Sequence, residues 1–140
     1  MQQTSAAPCI CFRVRRASRA LTRLYDEALA PAGLTVTQFS ILRNSQRLDG
    51  PTVSALAEYT GHERSALWRT LQPLVRDGLV ELTAGQDQRS RRIRVTPAGE
   101  AAVTGAEPHW NACQARVEAK LGEPAQRELV ALLKEVESLG

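Results

Sequence analysis

The chain has 140 residues, 43% of them hydrophobic and 4% aromatic, a length that holds one domain or one domain with an association element. Its formal net charge of +3 is too mild to name a partner, but the arginines are unevenly placed: residues 13–23 hold five and residues 89–94 hold four, with no acid in either stretch. No run of about 18 apolar residues is present, which excludes a transmembrane helix; no basic-then-apolar leader opens the chain, and three cysteines without framework spacing fit reduced thiols, so a cytoplasmic protein with no membrane contact is expected.

Residues 1–7 are small and polar and are expected to fray. A first helix is predicted from Pro8 to Ala30, because Ile10, Val14, Ala17, Leu21, Leu24 and Ala28 recur at spacings of 4, 3, 4, 3 and 4, an apolar seam of near-heptad period. Pro31 and Gly33 end it. A second helix is read from Thr35 to Leu48, with Phe39, Ile41 and Leu42 as its apolar residues, and Asp49-Gly50-Pro51 is a turn. Thr52 to Tyr59 reads as a third helix. Thr60-x-x-Glu63 predicts a capping box opening a fourth, with Leu67, Leu71 and Leu74 on its buried face. Pro73 is expected to kink or loosen its last turn, and Gly78 suits a left-handed cap after Asp77.

Val80–Thr83 and Arg92–Thr96 read as two strands joined by a polar loop from Ala84 to Arg91. Pro97 starts a fifth helix reaching Leu121, with Gly105 and Pro108 expected to interrupt its first half. Gly122-Glu123-Pro124 is a break before a sixth helix over Ala125–Leu139, whose apolar residues are Leu129, Leu132, Leu133 and Val136. The fold class is therefore mainly α with a small β-hairpin. The order helix, turn, helix, basic hairpin over residues 53–96 is that of a winged helix-turn-helix.

That order places chemistry. Off the apolar stripe of the fourth helix lie Arg64, Ser65, Trp68, Arg69, Gln72 and Arg76. The first four of these fall on the N-terminal half, which in a recognition helix meets base edges. Arg pairs bidentately with guanine, and Ser serves phosphate or base. Helix N-termini and the hydroxyls of Thr35 and Thr52 are candidate phosphate holders. On the hairpin Ile93 and Val95 face one side and Arg92 and Arg94 the other, so the apolar pair can pack on the fourth helix and leave the arginines free. Arg89 and Arg91 sit in the loop, and an arginine at a loop tip suits a narrow, electronegative minor groove. Double-stranded DNA is the implied partner. The different-class alternative is a winged-helix protein-interaction module that never touches DNA, for which a more apolar and less basic surface is expected.

Enzyme chemistry finds no support. His62 and His109 belong to no Ser-His-Asp or His-Glu-x-x-His pattern, no glycine-rich phosphate loop exists, and Glu58, Glu63, Asp77 and Asp87 show no acid–base pairing. His62 reads as a phosphate or cap neighbour. No cofactor is implied.

Several stretches resemble the MarR family of transcriptional regulators: Leu34-Thr-x-x-Gln38-Phe39, Arg64-Ser-x-Leu67-x-Arg69-x-Leu71-x-Pro73-Leu74, Asp77-Gly78-Leu79-Val80, and Asp87-x-Arg89-Ser90 with Val95-Thr96-x-x-Gly99. The resemblance covers nearly the full length. It implies a homodimer on a pseudo-palindromic operator, with residues 1–34 and 97–140 as the helical dimerisation region and residues 35–96 as the DNA-binding domain. It implies that Arg89 enters the minor groove, that Asp87 holds the wing by ion pairing, and that the protein is a repressor released by a signal. Trp68 departs from the pattern, which has a small polar residue there; it is left to pack on a thymine methyl or a sugar, or to be partly buried. Family members bind small aromatic or anionic effectors between the first, second and fifth helices, where Arg15, Arg19, Arg43 and Trp110 are candidate lining residues.

The segment from Cys11 to Tyr25 is similar to the organic-hydroperoxide-sensing branch of the family, in which a cysteine at this place is oxidised. A helix N-terminus with Arg13, Arg15 and Arg16 nearby would favour the Cys11 thiolate, and a sulfenic acid could condense with a second thiol such as Cys113. Cys11 and Tyr25 are about 21 Å apart along one helix and cannot touch within one chain; the resemblance implies that they could meet across an antiparallel dimer. Arg15 and Val36 stand where the branch has tyrosines. Two other readings stay open: the cysteines are small apolar fillers, or Cys9-x-Cys11 with Cys113 or His109 takes a soft metal or metalloid ion.

Overall fold

A computed structural model describes residues 7–140; apart from Ala7, the expectation for residues 1–7 lies outside them. Six helices and one hairpin follow in the predicted order: α1 Ile10–Leu29, α2 Val36–Arg47, α3 Val53–Thr60, α4 Arg64–Arg76, β1 Val80–Leu82, β2 Ile93–Val95, α5 Pro97–Leu121 and α6 Glu123–Glu137. No helix among the described residues is long and apolar enough to cross a membrane.

Local chemistry sets most of the boundaries. The Cys9 sulfur accepts the Phe12 N–H at 3.5 Å and caps α1. Thr35 and Gln38 form a reciprocal capping box at α2, each side chain accepting the other's backbone N–H, which satisfies two of the unpaired donors of a helix start. Asp26 of α1 accepts the Val36 N–H at 2.8 Å and ties α2 to the end of α1. Thr52 caps α3 through the Ala55 N–H.

Two sequence expectations about helices are corrected. Thr60 and Glu63 make no capping box. Thr60 is the last residue of α3 and its hydroxyl donates back to Leu56 O at 2.8 Å. Gly61 then takes φ +76 and closes the helix, so Thr60 is spent before α4 begins. The N-cap of α4 is Glu63, whose side chain makes no capping bond. Helix α5 is also uninterrupted. A proline inside a helix removes one hydrogen bond, at a cost of about 3 kcal/mol. Here Val103, Ala106, Trp110 and Cys113 of the same helix pack inward, and that burial, about 1.5–3 kcal/mol for a large side chain, outweighs the defect. Gly105 faces open space. Pro73 likewise lies within a continuous α4, held by buried Leu67, Leu71 and Leu74.

The hairpin is antiparallel, with Val80 opposite Val95 and Leu82 opposite Ile93. β1 ends one residue earlier than predicted and β2 is one residue shorter at each end, although Thr83 N still donates to Arg92 O and Thr96 N to Leu79 O. The chain before α3 adds to the hairpin: Thr52 bridges Arg92, Ile93 N donates to Pro51 O at 2.8 Å, and Val53 N donates to Arg91 O at 2.9 Å. The base of the wing is thereby stitched to the start of α3.

Thr96 is a junction. Its hydroxyl donates to Gly78 O at 2.6 Å and accepts the Gly99 N–H at 3.1 Å, while its own N–H reaches Leu79 O. It therefore caps α5 and holds the chain just past α4. One apolar core runs from Leu29 of α1 through Phe39, Leu56, Leu71 and Ile93 to Ala106 of α5. Two apolar faces stay open: the α1 seam, where Ile10 is 66% exposed, and α6, where Leu132 is 56% exposed.

Candidate nucleic-acid interface

Helix α4 presents Arg64, Ser65 and Arg69 to solvent while Leu67, Leu71 and Leu74 are buried. The apolar stripe thus fixes which face turns out. Because Glu63 adds no side-chain cap, the first N–H groups of α4 stay available to an outside acceptor, and the helix dipole favours an anion there. His62, just before this end, is bonded to Thr60 Oγ1 at 2.8 Å. That hydroxyl already donates to Leu56 O, so the His62 Nδ1–H is the donor in this pair.

The wing tip has structure that the sequence did not announce. Gln88–Ser90 form a 3₁₀ turn capped by Asp87. The Asp87 carboxylate accepts the Ser90 N–H at 3.0 Å and an Arg89 Nη2–H at 3.1 Å, and Ser90 Oγ accepts the Asp87 N–H in return. Those bonds, the Ser90 N–H foremost and then Arg89, hold the Asp87 carboxyl below its usual range. A Cβ on Gly85 would come within 2.8 Å of Ser90 Oγ, so a glycine there lets the loop close. The signal was the spacing Asp87-x-x-Ser90, a capping pattern inside a loop.

The four wing arginines are not equivalent, and the expectation that Arg92 and Arg94 stay free is corrected. Arg92 donates to Gly50 O at 3.0 Å, and Arg94 pairs with Glu81 across the hairpin. Arg91 is half-buried, with its guanidinium carbon 5.8 Å from the Trp68 ring centroid. Arg89 lies in the turn at the wing tip, 60% exposed and oriented by Asp87. Trp68 packs partly against the core, so the ring is spent largely on the protein. The hydroxyls of Thr35 and Thr52 accept helix N–H bonds, leaving each one hydrogen to donate.

Fold and caps bring Arg64, Ser65, Gln88 and Arg89 together around one open cleft of about 430 Å³, floored by Val53. Gln88 is the member the sequence reading missed. A groove at the other end, about 470 Å³, runs along α1 and α6 and is lined by Val14, Ala17, Leu21, Tyr25, Leu129 and Leu133 among others. The predicted lining set is not assembled there. Arg15 and Arg19 are exposed on α1 and do not line it. Arg43 stacks over Trp110 at 4.8 Å and over Phe39 at 5.7 Å, because cations favour aromatic faces.

The thiols divide. Cys9 and Cys11 are exposed and Cys113 is buried. Tyr25 donates to Gln114 Oε1 beside Cys113; burial first, then Cys113 and Glu118, push its hydroxyl up. Tyr25 and Cys113 therefore share a site between α1 and α5, while Cys11 is not part of it within one chain. Among the described residues no three His, Cys, Asp or Glu side chains are grouped to hold a metal ion.

A family model described as "MarR family" matches residues 32–90. The chain is similar to a crystal structure of the M. tuberculosis transcriptional regulator MosR in complex with DNA, at 43% identity over 94% of this chain and 98% of that one, with a TM-score of 0.82. It also superposes on a mutant MarR from E. coli complexed with operator DNA, at 24% identity, 91% and 92% coverage and a TM-score of 0.80. CouR, a transcriptional repressor bound to p-coumaroyl-CoA, matches at 22% identity, 92% and 91% coverage and a TM-score of 0.82. The last two likenesses concern the fold alone.

Proposed function

The chain belongs to the MarR family of winged-helix transcriptional regulators, and from that premise we propose that it is a homodimeric repressor that reads a pseudo-palindromic DNA operator. The observation that carries this is the shared cleft of Arg64, Ser65, Gln88 and Arg89. Recognition helix and wing tip present one basic surface, and the start of α4 carries no side-chain cap. Arg64, Ser65 and Arg69 of α4 read the major groove, and Arg89 enters the minor groove. Residues 35–96 form the reader. Residues 1–34 and 97–140 form the dimerisation region, whose support is the pair of uncovered apolar faces on α1 and α6. In the MosR structure a relative of 43% identity is bound to DNA, which supports the same partner here.

The proposed input is a small aromatic or anionic effector taken up in the α1–α6 groove, where a mostly apolar wall meets Arg13 and Tyr25. A second reading, oxidation at Cys11, is favoured by the exposure of Cys9 and Cys11 at the first turn of α1.

A gel shift with the protein's own promoter region tests the reader. Wild type is expected to bind and Arg89→Ala to bind more weakly; equal binding by the two would remove Arg89 from the interface. For the input, peroxide is added to wild type and to Cys11→Ser. Equal release from DNA in both would dismiss Cys11 as the sensor.

A further inference from the structure

Trp68 lies one helical turn beyond Arg64 and Ser65. Arg91 lies two residues beyond Arg89. Their contact, with the guanidinium carbon 5.8 Å from the indole centroid, joins α4 to the wing. Arg91 Nε is buried and has no hydrogen-bond partner. A buried N–H without a partner is costly. The indole face supplies the compensation, since Trp attracts Arg more strongly than any other ring. The backbone on the same residue is fixed as well, because Arg91 O accepts the Val53 N–H at 2.9 Å. Side chain and main chain of Arg91 therefore dock the wing on α4 and α3 respectively.

We infer that Trp68 and Arg91 form a clamp between recognition helix and wing, so that Arg91 positions Arg89 and does not itself contact DNA. The inference rests on the DNA-reading function proposed above. It also accounts for the residue that fits the family pattern least. A small polar side chain at the position of Trp68 offers no face for Arg91, and a wing held only by its base would have to be ordered by the DNA. Here the order is built in before binding, which lowers the entropy lost on association.

Hydrogen exchange of the wing amides over residues 85–91, in DNA-free protein, tests the clamp directly. Trp68→Leu and Arg91→Gln are each expected to speed exchange roughly two- to fivefold, the worth of one cation–π contact at a half-exposed site. The double variant should do no more than either single one, because both remove the same contact. Trp68→Phe keeps a ring face and should stay near wild type. Unchanged exchange over residues 70–76 of α4 shows that the variants are folded; were Trp68→Leu to fail that control, Arg91→Gln and Trp68→Phe would carry the test. Exchange unaltered by Arg91→Gln overturns the clamp, as does full additivity in the double variant. So does a drop of about one in the salt-dependence slope of operator binding with wing exchange unchanged, which marks Arg91 as a phosphate contact. If wild type binds no DNA at all, the DNA reading fails, and the exchange data still decide the clamp.

Discussion

Asp87 carries Arg89: one carboxylate accepts the Arg89 guanidinium at 3.1 Å and the Ser90 N–H at 3.0 Å, so the turn and the cation it presents are fixed by the same group. Asp87→Ala is therefore expected to weaken operator binding severalfold with little change in thermal stability, since the pair is exposed. Binding titrations and a thermal melt check both halves. The pH dependence follows from the depressed carboxyl. Its stabilising contribution is complete above the ordinary carboxylate value of about 3.9 and is lost only as pH falls through the lower folded value. An NMR titration of Asp87 should have its midpoint below that of free aspartate, and the wing should not loosen through Asp87 at roughly pH 5 to 8. A midpoint at the free value would dissolve the argument.

Gly99 and Gly105, on one helix, should respond oppositely to alanine. A Cβ at Gly99 would stand 2.1 Å from Leu79 O and 2.7 Å from Val95 Cγ1. Backbone and strand must shift, for a loss of about 3 kcal/mol. Gly105 meets nothing within 4 Å, so alanine there should gain about 0.5–1 kcal/mol of helix stability. Paired thermal melts decide; a neutral Gly99→Ala would contradict the packing.

The thiols should react in two classes. Burial pushes the Cys113 thiol up, with Arg116 opposing weakly, and the thiolate is the reactive form. Native protein is expected to release two equivalents rapidly with an aromatic disulfide reagent, from Cys9 and Cys11, and the third only after denaturation. Rapid modification of Cys113, read by mass spectrometry, would mean that α1 and α5 open readily.

Arg64→Ala should weaken operator binding by about 1–3 kcal/mol and relax preference at one base pair, if its pairing is bidentate. Arg76 is the control: it sits at the far end of α4 beside Asp77, 3.7 Å away, and Arg76→Ala should bind as wild type does. Competition with singly altered operators separates loss of affinity from loss of preference.

Much of this was legible because periodicity is a property of a face. The stripe Leu67, Leu71, Leu74 determined which way Arg64 and Arg69 turn, and alternation at Ile93 and Val95 placed the hairpin arginines outward. What escaped was tertiary. The Thr60-x-x-Glu63 spacing suits a capping box, yet Gly61 ended α3 after Thr60 had bonded inward. Pro108 marks a break only where packing does not override the missing hydrogen bond. Composition made the wing arginines look alike; Gly50, Glu81 and Trp68, distant in sequence, made them different. Gly99 was readable as part of a motif, but the reason for it, a carbonyl 2.1 Å from where a side chain would begin, needed coordinates.

Thr96 has a mechanical consequence. One hydroxyl joins the first turn of α5 to the glycine that ends α4, and its backbone N–H joins the same point to Leu79. There is no slack residue between the long helix and the reader. Were α5 to tilt, these bonds would carry the displacement to the tail of α4. Substituting Thr96 would cut α5 loose from both Gly78 and the first turn it caps.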